Sequence, residues 1–431
     1  MSLPYRTRTA STREQKQREE AGAAIACRAV VARHSHASIE EENMRTDSLS
    51  AGVSVCPRID PKSLPDAERY RLFCEELDAL KQRTFARMGG DDVAYIRRID
   101  RFARRMELAG RVLIHVSLEP VTFFLGVGAL WVNKQLQATE IGHSALHGAW
   151  DRLPGAEKFT SKTFRWDTPV DEESWRRGHN VRHHGNTNVA AKDPDIHFGP
   201  VRLTEQTPYS RWNSWAVPVT LALIFPNFLF VIGSHVAGLN DVFFDNGRPE
   251  KLDVLPDRSK ESVRGAWKHA LRKYVPYYVK NYVFFPALAG PFFGKVLLGN
   301  WLAETMRDVY SAATIFCGHV GVDVKSWPAG TRAHGRGEWY AMQVEATNDF
   351  EVSLPLSILC GGLDRQIEHH LFPTLPPSRL REIAPEVRDI CGRYGVNYKT
   401  DTWGRTLRKV FSHIAQLSRK GGVREVVHAM A

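Results

Sequence analysis

Apolar and polar positions fall into blocks along this chain. Residues 1–60 are rich in Arg, Ser, Ala and Glu and carry few large apolar side chains; 21–31 has helical potential, with nothing nearby to bury it. Such a composition cannot bury enough surface to offset the entropy of ordering, so a disordered tail is expected there. Over 61–108, Leu72, Phe73, Leu77, Leu80 and Phe85, then Ile96, Ile99, Phe102 and Met106, recur at helical spacing among many charges. This period predicts two amphipathic helices, lying on a membrane or over a catalytic body.

Strongly apolar runs follow at 113–131, 216–237 and 277–298. The first is long enough to cross a bilayer core at about 1.5 Å per residue, but Glu119-Pro120 interrupts it. That pair either sits within one span, which 133–147 would prolong beyond the lipid, or marks a tight turn between two membrane helices. After Gly299-Asn300 the helical period resumes over 301–317, where Glu304, Arg307 and Asp308 argue against lipid on every side. The highly charged 241–273 loop would lie in the cytoplasm by charge bias. If each flanking run spans once, a shared metal site puts that loop on the opposite face, and the metal constraint is the stronger. The expected organisation is a 61–108 cap region, a membrane catalytic domain over 109–380 and a basic cytoplasmic tail over 381–431.

Composition narrows this picture. Among 431 residues, Lys and Arg outnumber Asp and Glu 58 to 48, a net charge of +10, with the excess after Pro373. Anionic lipid accounts for that excess, and without zinc-finger spacing or a Gly-rich RNA signature no nucleic-acid partner is expected. Six cysteines without a repeating interval or a Cys-x-x-Cys pair exclude a disulfide framework. The polar N-terminus is no secretory signal.

The chemistry lies in three histidine clusters beside the apolar runs: His143 and His147; His179, His183 and His184; and His369 and His370, preceded by Gln366. Imidazoles four apart on a helix project from one face, as paired metal ligands do. Three clusters exceed the four ligands of one zinc, whereas two irons use them naturally. A nitrogen-rich iron pair beside lipid points to O2 activation against an unactivated C–H bond. His319, just past an apolar stretch, is a further candidate ligand. Glu140, Asp193, Asp195 and Glu368 are candidate partners for the second ring nitrogens of ligand histidines, and His197 a possible support for the second cluster. His235, inside an apolar run, reads as a core hydrogen-bonding residue. No Ser-His-Asp spacing, phosphate loop or nicotinamide signature is present.

HSALH, HNVRHH and QIEHHLFP, in this order, resemble the HxxxH, HxxxHH and QxxHH boxes of the membrane fatty acid desaturases, with Gln366 marking the branch of front-end and linoleoyl-CoA-type enzymes. The resemblance covers about residues 105–380. It implies a mainly α fold, with multi-pass membrane helices (usually four) and a cytoplasmic helical cap holding a histidine-rich di-iron centre. Its ligands would be His143, His147, His179, His183, His184, His319, His369 and His370, with Gln366, where other branches have histidine, either coordinating or hydrogen-bonding. Ile315 stands where the acyl-CoA branch has an Asn that reaches iron through water, so that contact should be absent here or supplied elsewhere.

The implied activity is O2-dependent desaturation of an acyl-CoA or glycerolipid. The alternatives are a di-iron hydroxylase and, from another class, a membrane zinc transporter. With no His-Pro-Gly-Gly haem segment, flavin signature or Cys-rich iron–sulfur segment, electrons are expected from a separate ferredoxin-like carrier and its reductase, the basic tail helping to dock it. The unfused body resembles bacterial members, which implies an inner-membrane protein in contact with membrane lipids, its active site facing the cytoplasm.

Overall fold

The computed structural model describes residues 60–199, 201–243 and 254–420. The expected disordered tail, apart from its last residue, part of the charged loop and the extreme C-terminus therefore lie outside the described residues. The chain divides into two units, Met1–Ser63 and Leu64–Ala431. Of the first, the described part holds a short turn, Pro61–Ser63; the rest concerns the second.

Two helical hairpins form its stem. Helix Gly90–Val116 ends at Ser117, and Pro120–Leu136 begins three residues later. Glu119 makes this turn: its carboxylate accepts from the backbone N–H of Val121 (2.6 Å) and Thr122 (2.7 Å), and Pro120 supplies a first-turn residue that needs no N–H partner. Of the two readings of the first apolar run, the tight turn is the one realised. The third run turns as well. Helix Lys260–Val279 continues through Lys280–Phe284 to Ala287, reverses at Gly290–Phe292 and returns as Phe293–His319.

The hairpin arms pack closely because glycine removes the Cβ at the crossing. A Cβ on Gly110 would lie 2.6 Å from the Leu130 amide, and one on Gly126 2.8 Å from that of Ile114. Ile114, Phe123, Val127, Leu130, Val296 and Ala303 fill the contact between the hairpins. The charged residues of 301–317 face inward, as their pattern implied. Glu304 takes Lys134 Nζ at 3.2 Å and Arg307 at 3.1 Å, while Asp308 pairs with Arg307 at 3.0 Å.

Above the stem, Asp66–Ala86 packs with Arg336–Glu345, Gln366–Leu371 and Pro377–Tyr394 around Phe73, Leu77, Tyr340, Phe372 and Val387. The expected boundaries at 108 and 380 fall on no break, since one helix runs through 90–116 and another through 377–394. Residues 381–420 pack into the same body. Leu380, Ile383, Val387 and Ile390 are buried on one face of the first of their helices, and Val410 and Ile414 on Trp403–Leu417. Strands are few: His197–Phe198 pairs antiparallel with Val201–Arg202, and Asp349–Glu351 runs parallel to Thr400–Thr402.

Among the described residues one helical stretch, Arg211–Val236, is long and apolar enough to cross a membrane by itself. The hairpins carry exposed apolar side chains along their outer faces, among them Val112, Leu118, Phe124, Val283, Leu288 and Phe292.

Gly110→Leu should strain the first hairpin and cost about 1–3 kcal/mol or more. Gly128→Ala, with nothing within 4 Å of the added Cβ, should be neutral or slightly stabilising. Thermal melting of both variants in detergent reads the difference, and equal melting would contradict the close crossing.

Candidate metal centre

The first cluster stands on a deformed helix. After Leu136 the chain widens into a π-helical stretch, Gln137–His143, before one more turn, Ser144–Leu146. Trp166 Nε1–H donates to Gln137 O at 3.0 Å. Gly142 leaves room for that indole, because a Cβ there would sit 2.0 Å from Trp166 Nε1. The second cluster repeats the device: Glu172–Trp175 passes into a π-helical stretch, Arg176–His183. Such bulges re-aim side chains and recur at functional sites. Gln366–Leu371 carries the third cluster, and His319 ends the last stem helix.

Eight imidazoles from these four segments meet in one place. Ligand nitrogens of His143, His147, His179 and His369 lie within 4.8 Å of one another, as do those of His183, His319 and His370. His184 lies between the groups, its Nε2 3.3 Å from His179 Nε2 and its ring stacked on His370 at 4.2 Å between centroids. The clusters are gathered, not strung along a transmembrane path as the transporter alternative requires.

The outer nitrogens are held by the protein. Asp193 accepts from His183 Nδ1–H at 3.0 Å, and Asp195 from His179 Nδ1–H at 3.2 Å. His370 Nδ1 lies 3.0 Å from Gln343 Oε1 and 3.1 Å from Thr187 Oγ1. The Gln366 amide reaches His319 Nε2 at 2.7 Å. The opposite atoms have no protein partner: Nε2 of His147, His183, His369 and His370, and Nδ1 of His184 and His319, are buried and unbonded. Buried ring nitrogens left without partners on one side and oriented on the other are what a metal needs. The all-nitrogen donor set is compatible with iron.

Electrostatics agree. Burial, reinforced by neighbouring imidazoles, holds His143, His147, His184, His319, His369 and His370 far below the ordinary imidazole range, so their lone pairs are available near neutrality. Burial also acts downward on His183, but Asp193 and Asp195 outweigh it and lift the metal-free group to about 9.

Two carboxylates require correction. Glu140, expected beside a ligand histidine, points away and takes Arg381 Nη2 at 3.0 Å and Tyr95 OH at 2.5 Å. The π-helical turn puts it on a different face from His143. Glu368 is adjacent in sequence to His369, so it projects from another side of the helix, where it accepts from Tyr398 OH at 3.0 Å. The side chain of His197 lies outside the described residues. His235 is a buried hydrogen-bonding residue, its Nε2 3.2 Å from Asp195 Oδ1 and its Nδ1 2.9 Å from Asn240 Nδ2.

Sequence reasoning missed Thr187, Gln343 and Trp175, whose ring stacks on His179 at 4.1 Å. Thr187 stands three residues past the second cluster, a position local spacing would have flagged. Nothing in the sequence marks Gln343.

His143, His179, His183 and His319 form part of the wall of an apolar cavity, whose other lining includes Trp166, Phe228, Leu229, Ile232, Ile315 and Phe316. A histidine-rich donor set compatible with a metal thus opens on an apolar slot of the kind that suits a lipid chain. The fatty acid desaturase family model matches residues 117–402. The chain is 32% identical over 360 residues to a Mycobacterium tuberculosis protein named NADPH-dependent stearoyl-CoA 9-desaturase, covering 82% of this chain and 81% of the other. It is 24% identical to the sn-1 linoleoyl-lipid 6-desaturase of Synechocystis over 297 residues, 66% of this chain and 78% of that one. With an acyl-lipid (8-3)-desaturase of Physcomitrium patens it shares 26% identity over 307 residues, 67% of this chain and 59% of the relative. The chain belongs to the fatty acid desaturase family and is an oxidoreductase of that class.

Asp193→Asn should weaken metal affinity about 10–100-fold by loosening His183. Glu140→Gln, which leaves buried Arg381 without its carboxylate, should lower the melting temperature but cost much less metal affinity than Asp193→Asn, because Glu140 orients no ligand ring. Iron content after dialysis against graded chelator reads both affinities, and equal losses would contradict the assigned directions.

Proposed function

We propose that this chain introduces a double bond into a fatty acyl chain carried as a CoA thioester or glycerolipid, using O2 and two irons held by His143, His147, His179, His183, His184, His319, His369 and His370. The observation that carries this reading is the meeting of partnerless ring nitrogens with the wall of the apolar cavity. Iron, when bound, supplies the reductive activation of O2 that breaking an alkyl C–H bond demands.

The protein's own part is placement. Phe228, Leu229, Ile232 and Phe316 offer an acyl chain a wall without charge, and His143, His179, His183 and His319 share that wall. A flexible chain held there keeps adjacent methylenes near the reacting site, where approach to roughly 3–3.5 Å is needed. Asp193, Asp195, Gln343 and Thr187 hold the ligand rings in one orientation. Gln366 serves as the orienter of His319.

The reading makes the two hairpins the membrane anchor, four crossings in all. Their exposed apolar faces and turns support this, because patches of this extent are otherwise costly in water. Pro120–Leu136 spans about 25 Å at 1.5 Å per residue. Arg211–Val236 then lies along the interface. Its middle packs Phe225 against Phe411 at 5.6 Å, and its C-terminal end brings His235 to Asp195. Both hairpins return to the same side, which we assign to the cytoplasmic face of a bacterial inner membrane. In this reading electrons come from a separate ferredoxin-like carrier and its reductase.

Reconstitution with iron, a ferredoxin, its reductase, NADPH and a panel of acyl-CoAs, acyl carrier protein conjugates and phospholipids should yield a product lighter by two hydrogens. Omission of the carrier should abolish turnover. Mass spectrometry decides, and a hydroxylated main product or carrier-independent turnover would overturn the respective claim. Independently, a fluorophore on Leu288→Cys should be quenched by brominated lipid, whereas one on Arg332→Cys should not. Equal quenching would sink the anchoring.

A further inference from the structure

A second pit, of about 330 Å³, opens beside the centre between the loop after the second histidine cluster and the 331–343 segment. Lys192, Arg332 and Arg336 line it, and no carboxylate does. Its floor is Thr187 and Gln343, both buried, with half-buried Trp339 on the wall. Thr187 Oγ1–H donates to Gln343 Oε1 at 2.9 Å, and both side chains reach His370 Nδ1. The pit floor is thus one hydrogen bond from a ring whose other nitrogen is buried without a protein partner. No residue lines both this pit and the acyl cavity, so it is no continuation of the substrate slot.

Several basic residues of the C-terminal part are paired within the chain. Arg379 pairs with Asp92, Arg381 with Glu140, Arg393 with Glu76 and Asp389, and Lys409 with Asp323 and Asp401. The C-terminal excess of Lys and Arg, once expected to form a docking tail, is to this extent internal. At the pit, Arg336 pairs with Asp78 at 2.7 Å. Lys192 Nζ donates to the uncharged Thr331 carbonyl at 2.9 Å and Arg332 is exposed, so both keep an uncompensated charge among the described residues.

We propose that this pit is the electron port: an acidic one-electron carrier protein docks on Lys192 and Arg332, and its electrons pass by Trp339 and the Gln343–Thr187 pair to His370. The proposal rests on the desaturase reading. In that reaction R–CH2–CH2–R′ + O2 + 2 e⁻ + 2 H⁺ gives R–CH=CH–R′ + 2 H2O, so two carrier molecules are each oxidised by one electron per double bond. Opposite charge speeds encounter at such a surface and makes it sensitive to salt.

The test compares wild type, Lys192→Glu/Arg332→Glu, Arg332→Gln and Lys268→Glu as a remote control, with an acidic [2Fe–2S] ferredoxin, its reductase, NADPH and an acyl-CoA. The double variant should raise the KM for ferredoxin at least about tenfold and flatten its salt dependence. Arg332→Gln should give a smaller rise and Lys268→Glu none. Iron content and alkene formed in a dithionite-reduced single turnover should match wild type. An unchanged ferredoxin KM in an iron-replete double variant overturns the port. A rise in acyl-CoA KM alone also overturns it, assigning the pit to an anionic headgroup. No alkene from dithionite-reduced wild type would fail the desaturase reading itself, and the port with it.

Discussion

His183, His319 and His370 each have one ring nitrogen held by the protein and the other buried without a partner. On the outer side these rings meet Asp193, Gln343 with Thr187, and Gln366. On the inner side burial removes water and supplies no protein donor or acceptor. That asymmetry costs stability in the metal-free chain, because a buried polar atom without a partner forfeits about 1–3 kcal/mol. The cost is offset only when something accepts the lone pairs. Binding of metal is therefore coupled to the stability of the whole layer, which draws on segments from residue 137 to residue 371.

Holding four such segments together requires supports that come from elsewhere. Gly361, at φ 73°, ends helix Leu354–Cys360 and lies so near 139–140 that a Cβ would sit 2.6 Å from Thr139. Arg381 ties the 377–394 helix to Glu140 at the root of the first cluster. Burial raises Glu140, and the Arg381 guanidinium opposes that shift, so the pair is a charged clamp in a dry setting. Removing one partner from such a pair is much more damaging than replacing both. The C-terminal helices are thus part of the catalytic layer.

Much of the site was legible because metal chemistry concentrates its signal. His143 and His147, or His179 and His183, lie four apart and need only a local helix to be read together. What was not legible depended on contacts between distant segments or on an irregular backbone. Gln343 is a solitary polar residue on an amphipathic helix, and only the fold brings it to His370. Glu140 and Glu368 were misplaced because nearness in sequence was taken for nearness in space. A π-helical stretch in the one case and adjacent positions around a helix in the other turn them aside. The hairpins were half legible: Glu119-Pro120 was seen as a break, but its role as a turn needed the Thr122 and Val121 hydrogen bonds.

The hairpin geometry also resolves the tension between charge and metal in the sequence. If each apolar run crossed once, the charged loop before Lys273 and the histidine clusters would fall on opposite sides. Under the proposed anchoring, the first and third runs each turn back on themselves, so the chain returns to its starting side after either one. Lys273 Nζ then reaches Glu172 at 2.7 Å and the Trp166 carbonyl at 2.8 Å, directly beneath the second cluster. In that reading positive charge and metal ligands share one face, and the charge bias and the shared-site constraint favour the same topology. The conflict disappears in that reading because Arg211–Val236, the run between the second cluster and the charged loop, lies along the interface instead of crossing.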